Sequence, residues 1–246
     1  MIIPLPGKEI YVPIGHVMFF LRVREIEHLR RYLAPMTKTD RLLDIGCGEG
    51  YWSGRLAPEA SRAIGVDIGL RQIRTACRFN GRAGCAFCVG DTASLPFRDK
   101  SFEKIVSVCV LEHVPRDTEA LKEMRRVARD SGVVALSVDS YSNPETPSAF
   151  KQWQRRRFGV AHHYRIEELQ EKARQAGLAV TDHTYICNNR FSLSLALLAI
   201  RARPLLYGLS PLMAEVTRRL DARTPRSRWG VILAARMIPE SAGAIV

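Results

Sequence analysis

The sequence predicts an α/β protein with a mostly parallel sheet and helices on both of its faces. Two observations carry this expectation. Short apolar runs and helix-period segments alternate from Leu42 to Asp139, the rhythm of strand, crossover helix and next strand. A glycine loop, Gly46-Cys47-Gly48-Glu49-Gly50, also separates the first of these runs from the helical segment after it, the point where a parallel sheet turns from strand to helix. The 246 residues, 46% apolar and 25% charged, exclude a disordered tail, a collagen-like fibre and a minimal stapled scaffold. They suffice to bury a core without disulfides.

A leading amphipathic helix is expected over 17–33, where Met18, Leu21, Ile26, Leu29 and Leu33 recur near the helical period with arginines between them. Pro35 and the polar run Thr37-Lys38-Thr39-Asp40 end it, and Arg41–Ile45 reads as a short buried strand. Ala63–Asp67 and Ala86–Asp91 read as the second and third strands, each ending in aspartate, and Lys104–Leu111 as the fourth. A helix near Asp117–Arg129 follows, with Leu121, Met124 and Val127 on one face and Gly132 as its stop. Val133–Val138 is the fifth strand. The stretch 140–160, rich in Ser, Pro and Arg, reads as a loop or short-helix insertion. Ile166–Ala176 is a helix stopped by Gly177, 178–187 a sixth strand, and Trp229–Ala235 the return of a strand pattern. The expected organisation is a helical cap over 1–36, a core over 37–189 with 229–238, and an apolar and basic insertion over 190–228.

The formal charge is +12, and residues 151–236 hold sixteen Lys and Arg against six Asp and Glu. The basic surface is therefore regional, and it speaks to partners rather than to the fold. No charged-then-apolar leader with a small-residue cleavage site follows Met1. The longest apolar run, Phe191–Ile200, falls short of the roughly 18 residues that span a bilayer. A cytoplasmic chain without a transmembrane helix is expected. The six cysteines are scattered, so reduced thiols are the expectation. Cys85 and Cys88 have half of a zinc-site spacing but no second pair to complete it, and read as buried strand residues.

A dinucleotide fingerprint wants a third glycine where this chain has Tyr51, and no Gly-Lys-Ser/Thr follows to make a Walker loop. Asp44 and Glu49 put negative charge beside the loop, which repels a pyrophosphate and suits a ligand carrying an ammonium and a sulfonium. Asp67, nineteen residues after Gly48, stands where a carboxylate accepts both ribose hydroxyls. Asp91 stands within reach of an adenine amino group. Three acids at the ends of three successive strands share one crevice, and a nucleoside with a cationic, amino-acid-like tail satisfies them all.

The segment from Leu42 to Trp52, LLDIGCGEGYW, the Val66-Asp67 pair, Gly90-Asp91 with Leu95-Pro96-Phe97, and Val110-Leu111-Glu112-His113-Val114 together resemble the class I S-adenosylmethionine-dependent methyltransferases, most closely the group that contains quinone-biosynthesis enzymes. The resemblance covers about residues 40–140. It implies a Rossmann-like, seven-stranded sheet whose last strand is antiparallel to the rest, and S-adenosyl-L-methionine as cofactor. Carried over, Asp44, Gly46 and Gly48 cradle the methionine end, Asp67 holds the ribose, Asp91 with Thr92 the adenine, and Val108 approaches the sulfonium side.

Methyl transfer from a sulfonium needs orientation, and a base only where the acceptor must lose a proton. His113 after the fourth strand, and His162 with His163 before the Tyr164 helix, are the candidate catalytic residues, with the His pair ranked ahead. In quinone-ring oxygen methyltransferases the matching segment reads Glu-x-x-Glu-His and can present ligands to a divalent ion. Here Cys109 replaces the first glutamate, so a metal-free site is expected. Neither the Asn/Asp-Pro-Pro-aromatic motif of base-amine methylation nor a Pro-Cys nucleophile is present, which argues against nucleic acid as acceptor.

In the insertion, Phe191, Leu193, Leu195, Leu197, Leu198 and Ile200 form one apolar block and Leu205, Leu206, Leu209, Leu212 and Met213 another, with arginines 201, 203, 218, 219, 223, 226 and 228 around them. A packed helical lid and a surface that dips into an anionic membrane both account for this, and both imply a lipophilic acceptor. The expected function is methyl transfer to a hydrophobic small molecule of quinone, polyketide, isoprenoid or glycolipid type, with oxygen or carbon as the favoured atom. An RNA or protein methyltransferase and a non-catalytic cofactor-binding module are the alternatives.

Overall fold

The computed structural model describes residues 2–5, 8–11, 20–81, 84–201, 207–224 and 227–240. A two-stranded antiparallel hairpin, β1 (Ile2–Leu5) and β2 (Lys8–Tyr11), comes first. The sequence predicts only a helical cap there, and the hairpin stands ahead of its helix. Helix α1 spans Phe20–Leu33; the expected start of that helix, with Met18, lies outside the described residues, as do Arg203, Leu205, Leu206 and Arg226.

Seven strands then build the main sheet: β3 (Arg41–Ile45), β4 (Arg62–Asp67), β5 (Cys85–Val89), β6 (Phe102–Val108), β7 (Ala128–Asp139), β8 (Leu178–Ile186) and β9 (Ile232–Pro239). Their order is β5-β4-β3-β6-β7-β9-β8. All neighbours from β5 to β7 run parallel, and β9 runs against both of its neighbours. The chain order reverses between β3 and β6, and such a switch point opens a crevice above the strand ends. That crevice is where the glycine loop lies.

The helices are α2 (Tyr51–Leu56), α3 (Leu70–Phe79), α4 (Asp117–Val127), α5 (Ser148–Phe158), α6 (Ile166–Gln175), α7 (Arg190–Arg201) and α8 (Ser210–Asp221). Leu43, Ile45 and Leu136 of the sheet pack with Leu121 and Met124 of α4 and Leu169 of α6 in one core. Leu42, Val106 and Ala234 face the other way and meet Ile26, Leu29 and Leu33 of α1. Strands buried on both faces explain the near-continuous apolar runs that made them legible.

The boundaries of α4 and β5 differ from the sequence expectation, and the expected insertion after β7 takes its short-helix form. Helix α4 stops at Val127 and not at Gly132, because Ala128 turns extended (ψ 137°) and pairs with Phe102 of β6. Gly132 therefore lies inside β7. Strand β5 ends at Val89, so Asp91 sits in the loop beyond it. The Ser- and Arg-rich stretch after β7 holds the three-turn helix α5, which Gly159 ends in the left-handed region (φ 68°).

The insertion packs through one side of each of its helices. Leu193, Ala196 and Ile200 of α7 and Met213 and Ala214 of α8 share a core with Phe20, Leu21, Tyr141 and Phe150. Their other sides stay in solvent, with Phe191 75%, Leu198 55% and Leu212 61% exposed. No helix among the described residues is long and apolar enough to cross a membrane.

Candidate active site

The glycine loop is a left-handed turn at each of its glycines, with φ 70° at Gly46, 53° at Gly48 and 73° at Gly50, a conformation that costs other residues strain. Two of them also make room: a Cβ on Gly46 would lie 2.3 Å from the Val110 side chain, and one on Gly50 2.5 Å from Phe87. Beside Gly48 there is nothing within 4 Å. Its backbone forms the open floor of the crevice.

Asp67 fixes that floor. Its Oδ2 accepts the Gly48 N–H at 2.9 Å and its Oδ1 the Gly69 N–H at 2.8 Å, so the carboxylate is held in one orientation with acceptor capacity left on both oxygens. Asp44 is buried under the loop and accepts the Ser53 hydroxyl at 2.5 Å. Burial pushes its carboxyl up to about 6, with the neighbouring Asp67 adding to the rise and the Ser53 bond opposing it. Two acids this close favour a cation.

Asp91 accepts the Ala93 N–H at 2.8 Å and carries Arg116 on its Oδ2 at 2.9 Å. An adenine amino group at Asp91 therefore shares it with that guanidinium, a competitor the sequence reading did not foresee. The same reading missed Ile68 and Leu70, apolar yet 73% and 53% exposed just past Asp67. Two aliphatic side chains standing in solvent beside Asp67 offer an apolar surface to a ligand in the crevice, and their signal was an apolar pair in a strand-to-helix turn where polar residues are usual. Thr92 is half-buried in the loop after Asp91, and Val108 ends β6 against the core on the α1 face.

A second cavity, of about 270 Å³, opens beyond the ends of β6 and β7. Its polar side is made by Arg22 and Glu25 of α1, Cys109 and Glu112 after β6, Asp139 at the end of β7, and Gln154 of α5; Leu21, Tyr141, Phe158, Ile200 and Ile232 make the apolar side. Cys109 is a non-glycine residue at φ 52°, a strained conformation that turns its thiol onto Glu25 Oε2 at 3.2 Å. Burial, and then Asp139, push the Glu112 carboxyl well above the usual carboxylate range. Roomier cavities of about 530 and 440 Å³ open against β8, one beside α6 and one between α1 and α8. Neither is lined by the glycine loop or by the acids of the crevice.

The three candidate histidines separate. His113 lines the cavity, exposed, with Nδ1 3.2 Å from the Gly159 carbonyl oxygen. His163 stands one side chain back: its Nε2 is 2.6 Å from Gln154 Oε1, and Gln154 donates to Asp139. Burial, and then Arg155 and Lys151, push its imidazole down to about 4, so it is neutral at pH 7. His162 faces Glu168 of α6, Nε2 to Oε1 2.5 Å, and is not among the cavity's lining residues. The Cys109 sulfur and carboxylate oxygens of Glu112 and Asp139 lie within 4.8 Å of one another, close enough for one metal ion.

Residues 43–136 match the methyltransferase domain family. Demethylmenaquinone methyltransferase of Roseiflexus castenholzii is 38% identical over 106 residues, 42% of this chain and 44% of that protein. The 27-O-demethylrifamycin SV methyltransferase of Amycolatopsis mediterranei is 31% identical over 157 residues, 59% of this chain and 56% of that one. The matches thus span about half the length of these relatives. Phosphoethanolamine N-methyltransferase 2 of Haemonchus contortus, solved with S-adenosyl-L-methionine, shares the fold at a TM-score of 0.66 and 17% identity over 89% of this chain and 53% of that one. Residues 43–136 thus carry a methyltransferase domain of the class I S-adenosylmethionine-dependent kind, and S-adenosylmethionine is the cofactor of that class.

Proposed function

We propose that the protein transfers a methyl group from S-adenosylmethionine to a small, largely apolar acceptor, without a metal ion. The observation that carries this reading is the pairing of two sites over the switch point: an acid-lined crevice with an open glycine floor, and a separate cavity lined by Cys109, whose chain neighbour Val110 packs at Gly46. The residues present fit the cofactor. Asp44 and the backbone at Gly46 and Gly48 would hold its amino-acid end, Asp67 its ribose, and Asp91 with Ile68 and Leu70 its base. When bound, the cofactor supplies an electrophilic methyl group on a cationic sulfur.

This chain's own residues hold and orient the partners. Tyr164 donates to Asp117 at 2.5 Å and Lys172 donates to the same carboxylate at 3.0 Å, which fixes α6 against the start of α4. The apolar wall of the cavity excludes water from the acceptor, and Gln154 links it to His163. Metal independence is supported by Cys109 itself: the resembled quinone-ring enzymes have a glutamate ligand there, whereas this chain has a thiol that is committed as a donor to Glu25 Oε2 at 3.2 Å.

The test is incubation with methyl-labelled cofactor and fractionated cell extract, with and without a chelator. Label is expected in the organic phase with equal yield in both arms. Label in RNA or protein would support those acceptors instead. Loss of labelling on chelation would refute metal independence, and no label at all would leave a cofactor-binding module.

The exposed apolar side of the insertion favours one addition, that the protein docks on anionic membranes through α7 and α8. Phe191, Leu198 and Leu212 point outward beside Arg190 and Arg219, both largely exposed, and an apolar set ringed by arginines fits an interface of headgroups over acyl chains. Flotation with anionic vesicles should retain the protein at low salt, with a salt-resistant remainder from the apolar set. No retention on any vesicle would make the insertion a packed lid alone.

A further inference from the structure

We propose that the cavity beyond β6 and β7 takes its acceptor as a basic amine, with the nitrogen among Glu25, Glu112 and Asp139 and the apolar remainder against Tyr141, Phe158 and Ile200. This rests on the methyl-transfer reading above and assigns that reading its acceptor atom, nitrogen in place of the oxygen or carbon the sequence favours.

The three carboxyl groups come from α1, from the turn after β6 and from the end of β7, elements brought together by the fold alone, and all three line the one cavity. Glu25 is matched: its Oε2 accepts Arg22 at 2.7 Å and Ser137 at 3.1 Å. Asp139 accepts Gln154. Glu112 is different, because it is 0% exposed, its Oε1 accepts only a long 3.3 Å bond from the Asp139 N–H, and its Oε2 is buried with no donor at all. A buried carboxyl oxygen without a donor is costly and calls for one from a ligand.

Charge chooses among the possible donors. Arg22 is the sole arginine or lysine among the residues lining the cavity, against three carboxyl groups. Methylation of a phenol or alcohol requires its proton to leave and negative charge to grow on oxygen, which three nearby carboxyl groups oppose. An amine enters as an ammonium, gives one proton to a carboxylate of the cluster, and attacks the methyl carbon through the freed lone pair while the sulfur leaves with its bonding pair; the nucleophile is neutral rather than anionic, and the product is again a cation. The amine's N–H groups supply what Glu112 lacks, and the carboxyl cluster favours it at both ends of the reaction.

Calorimetry on the full chain, with and without S-adenosylhomocysteine, would compare 2-phenylethylamine and tryptamine with the matched alcohols at pH 8. The amines are expected to bind at least about tenfold more tightly than the alcohols, and Glu112→Gln to remove most of that preference while leaving S-adenosylhomocysteine affinity unchanged. Should Glu112→Gln fail to fold, Asp139→Asn takes its place with the same expectation. Equal binding of amine and alcohol, absence of binding by both amines, or an unchanged preference in a folded variant would overturn the proposal. So would stoichiometric binding of zinc or manganese that displaces the amine, since the acids would then be metal ligands. If S-adenosylhomocysteine does not bind but the amine preference persists, the methyl-transfer reading fails and the amine pocket stands.

Discussion

Asp221→Ala is expected to lower unfolding stability by about 3–5 kcal/mol, the scale of leaving one member of a buried ion pair without the other. Asp221 closes the insertion onto the core. Its carboxylate accepts Arg24 of α1 at 3.0 Å, the backbone N–H groups of Cys187 and Asn188 at 2.9 and 3.0 Å, and the Ser192 hydroxyl at 2.8 Å. Both Arg24 and Asp221 are buried, so salt screens the pair little. The alanine would strand a guanidinium and two amides in one place. Chemical denaturation should show the loss as an earlier midpoint at an unchanged slope. The double variant Arg24→Met, Asp221→Leu should recover part of the stability but not all, because the amides of Cys187 and Asn188 stay without an acceptor. A single-variant loss below about 1 kcal/mol would mean that water reaches the pair and that the insertion is held by its apolar contacts alone.

Strands β3, β6 and β7 were legible because parallel strands buried on both faces read as unbroken apolar runs, and the glycine loop because three left-handed turns leave few other residues acceptable. The α4 boundary was not, since Gly132 signals a helix stop by composition while the sheet partner Phe102 claims Ala128. A pairing with a distant strand leaves no local mark. Asp44 and Asp67 stand out as candidate cofactor acids by their places in β3 and at the end of β4, and Asp91 by its place just past β5, whereas the partners they already hold leave no such mark: Arg116 reaches Asp91 across 25 residues.

The histidines show the same limit from the other side. His162 and His163 were ranked first because a His pair in a polar loop has no evident packing role, yet the fold gives each one: His162 stacks edge-on with Tyr164 and meets Glu168, and His163 packs against Tyr141 and meets Gln154. Glu25, meanwhile, has nothing in the sequence to set it apart from the other charges of α1. Only the packing of α1 over the ends of β6 and β7 turns it into a buried carboxylate beside Cys109 and Ser137. Long-range assembly of an acid cluster is invisible to spacing.

Asp67→Ala should weaken S-adenosylmethionine binding by about 2–4 kcal/mol, or roughly 30- to 1,000-fold, the scale of losing charge-assisted contacts to paired hydroxyls. The loss has two sources in this structure. The carboxylate is the proposed ribose acceptor, and it also ties Gly48 and Gly69 to one another through its two oxygens, so alanine frees the floor of the crevice as well. Asp67→Asn separates them: it keeps one backbone acceptor and loses the charge, and should fall between wild type and alanine. Calorimetry on the folded variants reads the difference directly, with NADH as a control that should not bind. The pH dependence adds a second constraint. Asp44 is held near 6 in the free protein, so below that value it is protonated and attracts the ligand's ammonium less. Affinity should therefore rise through about pH 6 and level off above it, and the presence of the cation should draw the Asp44 carboxyl down. Unchanged affinity in Asp67→Ala would sink the assignment of the whole crevice, because Asp67 is the one acid there with both oxygens already aimed by the glycine loop and the turn that follows β4.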